Sequence, residues 1–186
     1  TINTKTISEQ LPKNKNEWTL LQTLFNHFPK DNKGKTTKEG YVLFEHFAAE
    51  VYRMTDKNIL IDEITRGTKD GGFDAVGRMK LGVNDDPIYV DFYLEAKCYN
   101  PGVNKKKINT VGVKETSRLI SRIKNRQYGV LVTTSAVGRD PYTQIRKDNH
   151  PIIFVTGVDI IKILIEKKGI KTKKELQKYL KEKFSA

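Results

Sequence analysis

The sequence predicts a mixed α/β domain built around a single sheet. Residues 88–97 place apolar side chains on one face of a strand and Tyr, Asp, Glu and Lys on the other. The segment YGVLVTTS, residues 128–135, is apolar on both faces, as expected for an inner strand reached through a helical crossover. Amphipathic helical stretches precede and separate these strands, and there is no internal repeat.

The N-terminal part of the chain predicts an arm followed by two helices. Residues 1–16 are polar and aperiodic, which is typical of a linker or a loosely attached arm. Apolar residues between 18 and 28 recur at helical spacing, with Asn16 as the predicted N-cap. A second amphipathic helix follows at residues 38–54, and Glu45 lies beside its apolar stripe.

The middle of the chain predicts an antiparallel meander. NILIDEITRG is either an early strand or a connector. GGFDAVG, RMKLGV and PIYVDFYLEAKCY follow as three strands, divided by Gly77, by Gly82 and by the turn NDDP. In the third strand the side chains of Glu95 and Lys97 point to the same face.

The C-terminal part predicts alternating helices and strands. A helix in VGVKETSRLISRIKNRQ leads to the strand YGVLVTTS, and a short helix in DPYTQIRKDN leads to the buried strand PIIFVTG. DIIKILIEKKG is a helix closed by Gly169, and the last helix opens with Thr172 and Glu175 at the spacing of a capping box. We divide the chain into an N-terminal arm, helix or linker at residues 1–35 and one main domain at residues 36–186.

The chain is strongly basic. Its 186 residues include 34 Lys and Arg against 22 Asp and Glu, a net charge of +12, and the pI is about 9.6. This excess predicts a polyanionic partner, nucleic acid first, because cations that neutralise phosphates release condensed counterions. The alternative is that many of the lysines lie on solvated helix faces and bind nothing.

Cysteine usage and hydropathy predict a protein of the cytoplasm. The single cysteine, Cys98, excludes an internal disulfide and a multi-cysteine zinc site, and a small residue at a strand end is favoured over a nucleophile. No stretch approaches the roughly 18 apolar residues of a membrane span, and no secretion leader is present. The first residue is Thr1 rather than Met, which predicts a fragment of a longer protein.

Three charged residues on the predicted strands have the chemistry of metal-dependent phosphodiester hydrolysis. Asp74 and Glu95 are carboxylates on adjacent strands, and with the carbonyl of Ala96 they form an oxygen set that suits Mg²⁺. Bound Mg²⁺ activates water and stabilises charge on the phosphate. Lys97 would orient that water, help deprotonate it, or stabilise the attacked phosphate. An acid and a lysine two residues apart are also common on strand surfaces, so the pair alone does not decide the question.

The order of the motifs is more specific than any one of them. A helix carrying Phe44-Glu45 precedes DGGFD at 70–74, EAK at 95–97 and GVLVTTS at 129–135. This order resembles the PD-(D/E)XK nuclease superfamily, and within it the Mrr-like restriction endonucleases, over roughly residues 38–165. The gap between Asp74 and Glu95 also resembles the MspJI-type modification-dependent restriction enzymes. The residue before Asp74 is Phe73 instead of Pro, a mild departure because that Pro binds no metal.

The resemblance implies a restriction-endonuclease-like αβββαβ core, with a central mixed sheet flanked by helices. It implies that Asp74, Glu95 and Lys97 are catalytic, and that Glu45 is an accessory or second-metal residue of the same site. The metal ligands would be Asp74, Glu95 and Ala96. The implied cofactor is Mg²⁺, for which Mn²⁺ can substitute, and residues 36–186 would be the nuclease catalytic domain.

Basic residues after the predicted site are candidates for DNA contact. Lys105, Lys106 and Lys107 lie in a loop directly after it, where phosphate contacts would be useful. A stripe at four-residue steps then follows on the next helix, formed by Lys114, Arg118, Arg122 and Arg126. The alternative for both groups is a solvated loop and an exposed helix flank.

These observations together predict a Mg²⁺-dependent endonuclease that hydrolyses DNA phosphodiester bonds, as the cleavage domain of a type II-like restriction enzyme. Its partner would be double-stranded DNA, and a homodimer, at least on DNA, would be needed to cut both strands. A separate DNA-recognition domain is expected in the full-length protein. Two alternatives stay open at this point: a structure-specific junction or repair nuclease, and a catalytically silent DNA-binding module.

Overall fold

The structure of the chain is a computed structural model that describes residues 2–64, 74–83, 85–103 and 106–186. After a short 3-10 helix at Ser8–Gln10, the helices are α1 (Lys15–His27), α2 (Lys38–Met54), α3 (Val113–Arg122), α4 (Arg139–Lys147), α5 (Gly157–Lys168) and α6 (Lys173–Lys183). The strands are β1 (Ile59–Ile64), β2 (Ala75–Val83), β3 (Asp86–Lys97), β4 (Tyr128–Thr133) and β5 (Ile152–Val155).

The strands form one mixed sheet in the order β1-β2-β3-β4-β5. β1, β2 and β3 pair antiparallel, as a meander, whereas β3, β4 and β5 pair parallel. Parallel neighbours need a crossover, and α3 and α4 supply it before β4 and β5. The run from α2 through β1, β2, β3 and α3 to β4 is the predicted αβββαβ core, and the mixed sheet flanked by helices is confirmed.

The predicted meander is correct in kind but wrong in its strand boundaries. Its first strand is Ile59–Ile64, and β2 runs without interruption through Gly77, which was expected to divide two strands. A Cβ atom at Gly77 would lie 2.2 Å from the carbonyl oxygen of Leu60 and 2.5 Å from a ring carbon of Phe92. The glycine is therefore required by close approach within the sheet, and not by a turn. Residues 71–73 of the predicted strand GGFDAVG lie outside the described part of the chain.

Gly77→Ala is expected to destabilise the protein by about 1–3 kcal/mol, because the new methyl group must displace the Leu60 carbonyl or the Phe92 ring. Urea unfolding followed by circular dichroism measures the effect. Val83→Ala, at an exposed position of the same strand, is the control and should change the free energy of unfolding by less than about 0.5 kcal/mol. Equal stability of the parent and Gly77→Ala would contradict the close packing at Gly77.

Two hydrophobic clusters cover the sheet, one on each face. The larger contains Phe44 of α2, Leu94 of β3 and Cys98, so the cysteine packs as a small core residue. The smaller contains Leu119 of α3 and Leu131 of β4. Because successive residues of a strand point to opposite faces, the β3 residues next to Leu94 face the α3 side of the sheet.

The segment before α1 is docked on the domain and is not a loosely attached arm along its whole length. Gln10 is fully buried; its amide donates to the Val137 carbonyl at 3.0 Å and accepts from the Val137 N–H at 2.8 Å. Leu11 packs in the larger cluster, while residues 2–6 are exposed. The predicted N-cap Asn16 is also wrong, because Asn14 caps α1 by accepting from the Glu17 N–H at 2.8 Å. A domain boundary between residues 35 and 36 stays a prediction.

The helix ends near the C-terminus agree with the sequence signals. Gly169 closes α5 with a φ of 65°, a left-handed conformation that suits glycine. Thr172 and Glu175 form the predicted capping box at the start of α6. Across the described residues, each helix is too short or too polar to cross a membrane.

Candidate active site

Asp74 lies one residue before β2, beside the end of β3. The antiparallel ladder of β2 and β3 ends at the pair Ala75–Leu94. The N–H of Asp74 donates to the Leu94 carbonyl at 2.9 Å. The N–H of Ala96 in turn donates to Asp74 Oδ2 at 2.6 Å. These backbone bonds hold the Asp74 carboxyl group against the end of β3, beside Glu95.

Lys97 adds a positive charge to the two carboxyl groups. It follows Glu95 by two residues, so both side chains leave β3 on the same face. Burial raises the pKa of Asp74 and of Glu95, and the Lys97 ammonium group opposes the rise at both carboxyls. The structure therefore brings together the three side chains that the sequence proposed as catalytic.

Glu45 joins this cluster from α2. Its side chain is buried, and its carboxyl group is hydrogen bonded to that of Asp74. Burial, and then the negative charge of Asp74, raises the pKa of Glu45 well above its ordinary value. Two carboxyl groups in contact share a proton because two adjacent buried negative charges are costly. An accessory role for Glu45 stays a prediction.

Two arginines of α3 face the same site. Arg122 Nη1 donates to Glu95 Oε1 at 2.8 Å, and Arg118 Nε lies 3.8 Å from the same oxygen. Sequence reasoning had placed both arginines on a continuous stripe along DNA that extended to Arg126. The stripe is interrupted, because α3 ends at Arg122 and Arg126 lies beyond it with a φ of 64°.

The other predicted DNA-binding residues are at the surface. Lys106 and Lys107 are exposed in the loop after β3, and Lys114 is exposed in the first turn of α3. Lys105 lies outside the described residues. DNA contact by these lysines stays a prediction.

The loop after β3 is tied to both β4 and α3. Thr134 Oγ1, in the motif GVLVTTS, donates to the Tyr99 carbonyl at 2.6 Å. The Tyr99 hydroxyl donates to Glu115 Oε1 at 2.8 Å, and the other oxygen of Glu115 accepts from the Gly112 N–H at 3.0 Å. Sequence reasoning missed Tyr99 and Glu115. Their bonds fix the start of the helix that carries Arg118 and Arg122.

The residues of the cluster suit a divalent cation. Among the described residues, Glu45 Oε2 and Glu95 Oε2 are buried oxygens without a hydrogen-bond partner, and such atoms are costly unless a cation or donor satisfies them. Within the described ranges, His, Cys, Asp and Glu side chains form no ready-made group of three around a metal position. A set of two carboxylates and the Ala96 carbonyl would leave the rest of the shell to water and substrate, which suits Mg²⁺.

The fold defines a class of protein. A mixed five-stranded sheet flanked by helices matches the restriction-endonuclease-like fold. The sequence profile of the family Mrr_cat, described as restriction endonuclease, matches residues 40–164. The chain belongs to this family, and the predicted resemblance is confirmed.

Two solved structures resemble the chain closely. The DNA modification-dependent restriction endonuclease AspBHI shares 36% sequence identity with a TM-score of 0.80, and the match covers 98% of this chain and 43% of AspBHI. MspJI restriction endonuclease in complex with a 27-mer oligonucleotide shares 24% identity with a TM-score of 0.71, over 96% of this chain and 38% of MspJI. The second likeness shows the fold alone. The chain spans less than half the length of either relative, and no curated protein matches it.

Proposed function

We propose that this chain is a Mg²⁺-dependent DNA endonuclease domain of the PD-(D/E)XK type, with Asp74, Glu95 and Lys97 as its catalytic residues. The observation that carries the proposal is the convergence of these side chains at the end of β3, where Asp74 accepts from the Ala96 N–H and Lys97 shares the Glu95 face. The buried Oε2 of Glu95, which has no hydrogen-bond partner among the described residues, supports a metal ligand at this position. Membership of the restriction endonuclease family supports DNA as the substrate.

Some residues of the site would hold the metal ion, and Lys97 would act on the attacking water or the phosphate. A bound divalent ion would supply a water of lowered pKa and positive charge against the attacked phosphate. Asp74, Glu95 and the Ala96 carbonyl would hold the ion, and Glu45 would hold Asp74 through the hydrogen bond between their carboxyl groups. Lys97 directs its ammonium group to the water or the phosphate, where it stabilises negative charge. The attacking water would release a proton to the surrounding solvent as its oxygen forms the new P–O bond, and the departing sugar oxygen would take up a proton from solvent as its own P–O bond breaks.

We place this domain in a longer, cytoplasmic protein that acts on double-stranded DNA. Because one site cuts one strand, two copies would meet on the duplex to cut both. The AspBHI chain is more than twice the length that this chain matches, which supports a separate DNA-recognition domain. The name of AspBHI supports recognition of modified bases by that domain.

The test is digestion of supercoiled plasmid by the 186-residue chain, with Mg²⁺, Mn²⁺ or EDTA, on methylated and unmethylated DNA. We expect either metal to convert the plasmid to open-circular and then linear DNA, and EDTA to stop the reaction. Binding without nicking in both metals would instead indicate a catalytically silent module. Cleavage confined to branched DNA would indicate a structure-specific nuclease. The same digestion by a longer protein containing this domain would show whether cutting requires methylation.

A further inference from the structure

Glu95 is held by arginines through one of its two oxygens. Arg122 donates to Oε1 at 2.8 Å and Arg118 stands 3.8 Å from it, while Oε2 has no hydrogen-bond partner among the described residues. Arginine–carboxylate pairs are frequently bidentate, with one donor to each oxygen. Here both arginines lie against the same oxygen of Glu95.

Solvent reaches the arginines but not the carboxylate. The side chains of Arg118 and Arg122 are 52% and 23% exposed, whereas that of Glu95 is 2% exposed. Arg122 is also the last residue of α3, where a side chain can turn away without breaking the helix. The guanidinium groups are therefore the solvent-exposed part of this contact.

The cluster has as many cationic as acidic groups. Its carboxyl groups belong to Glu45, Asp74 and Glu95, and its cations belong to Lys97, Arg118 and Arg122. A divalent ion placed beside Lys97, Arg118 and Arg122 is repelled by three cations in surroundings where repulsion is poorly screened. A DNA phosphate would compensate this positive charge and is a bidentate partner for arginine.

We propose that Arg122, assisted by Arg118, occupies Glu95 in the metal-free protein and moves to a DNA phosphate when metal and DNA bind together. This inference rests on the proposed function and concerns regulation of the same site. Metal binding is then weak without DNA and is strengthened by DNA, and by linkage the metal strengthens DNA binding by the same factor. The domain is thereby kept from loading metal until a phosphate is in place.

Mn²⁺ binding to the DNA-free protein tests whether Arg122 competes with the metal for Glu95, without a measurement of cleavage. Free Mn²⁺ is counted by electron paramagnetic resonance in titrations of the parent and of Arg122→Gln. Removing the competing charge is expected to tighten Mn²⁺ binding about tenfold. Lys80→Gln, which removes an exposed charge from β2, is the control and should leave Mn²⁺ affinity within about twofold of the parent.

Further variants distinguish a failure of this inference from a failure of the proposed function. Arg118→Gln, at the longer distance, is expected to tighten Mn²⁺ binding by a smaller factor, and it provides the test if Arg122→Gln does not fold. Unchanged or weaker Mn²⁺ binding in both variants would overturn the inference. Asp74→Asn must weaken the measured Mn²⁺ binding; if it does not, the metal lies elsewhere and the proposed function fails instead.

Cleavage rates test the proposed movement of Arg122 from Glu95 to a DNA phosphate. At saturating Mn²⁺ and DNA, Arg122→Gln is expected to cut about tenfold or more slowly than the parent, because a phosphate contact is lost although metal binds better. Arg122→Lys keeps the positive charge but loses the planar guanidinium that can donate two hydrogen bonds to one phosphate, so it should recover only part of the cleavage rate. Tighter metal binding with undiminished cleavage would show that Arg122 only competes with metal, and would overturn its transfer to phosphate.

Discussion

Lys97→Ala is expected to reduce plasmid nicking by about 100- to 1000-fold, while duplex affinity stays within a few-fold of the parent. Lys97 shares the Glu95 face at the end of β3, and its ammonium group interacts electrostatically with both Asp74 and Glu95. The charge that it stabilises develops only as water attacks, so its loss affects the chemical step more than binding. Single-turnover cleavage with excess protein measures that step directly.

Two further variants are needed to interpret the cleavage rate of Lys97→Ala, one as a control and one that keeps the positive charge. Lys80→Ala removes an exposed lysine of the same sheet and should leave nicking within about twofold of the parent. Lys97→Arg keeps the positive charge but cannot exchange a proton, so recovery of the rate indicates electrostatic stabilisation and continued loss indicates proton transfer. Full nicking by Lys97→Ala would remove Lys97 from the active site.

The face shared by Glu95 and Lys97 was predictable because it depends only on the geometry of a strand. Side chains two apart on a pleated strand point the same way whatever the strand meets, so the alternation in β3 sufficed. The helix around Phe44 and the buried strand β4 were predictable for the same reason, since their patterns are local. The order of these elements then carried the family resemblance.

The contacts that complete the site were not predictable, because they depend on what each face meets. A four-residue spacing places Arg118 and Arg122 on one helix face, yet it is the same whether that face meets DNA, water or Glu95. Gly77 has the same ambiguity, because a glycine marks either a turn or a close approach, and Leu60 and Phe92 on the two neighbouring strands decide. Gln10 looked like part of a polar arm because its partner, Val137, is 127 residues away.

Asp74→Asn separates catalysis from folding more clearly than any other substitution in the cluster. We expect cleavage to fall by about 1000-fold or more, because a neutral amide is a poor ligand for Mg²⁺ and the metal supplies both the activated water and charge stabilisation. The side chain keeps its size, and its amide oxygen can still accept from the Ala96 N–H that now binds Asp74 Oδ2. The backbone at the start of β2 is therefore retained.

The same substitution should raise the stability of the metal-free protein by about 1 kcal/mol, because it replaces one of three neighbouring buried carboxyl groups with a neutral side chain. Urea unfolding in EDTA measures this gain, and Asp91→Asn, at an exposed position of β3, should show neither the gain nor the loss of cleavage. Added Mg²⁺ stabilises the parent by binding its folded state, and that increment should vanish in Asp74→Asn. A variant that loses both stability and cleavage would show that Asp74 holds the fold together and is not a metal ligand, because repulsion among the carboxyl groups predicts opposite signs for the two effects.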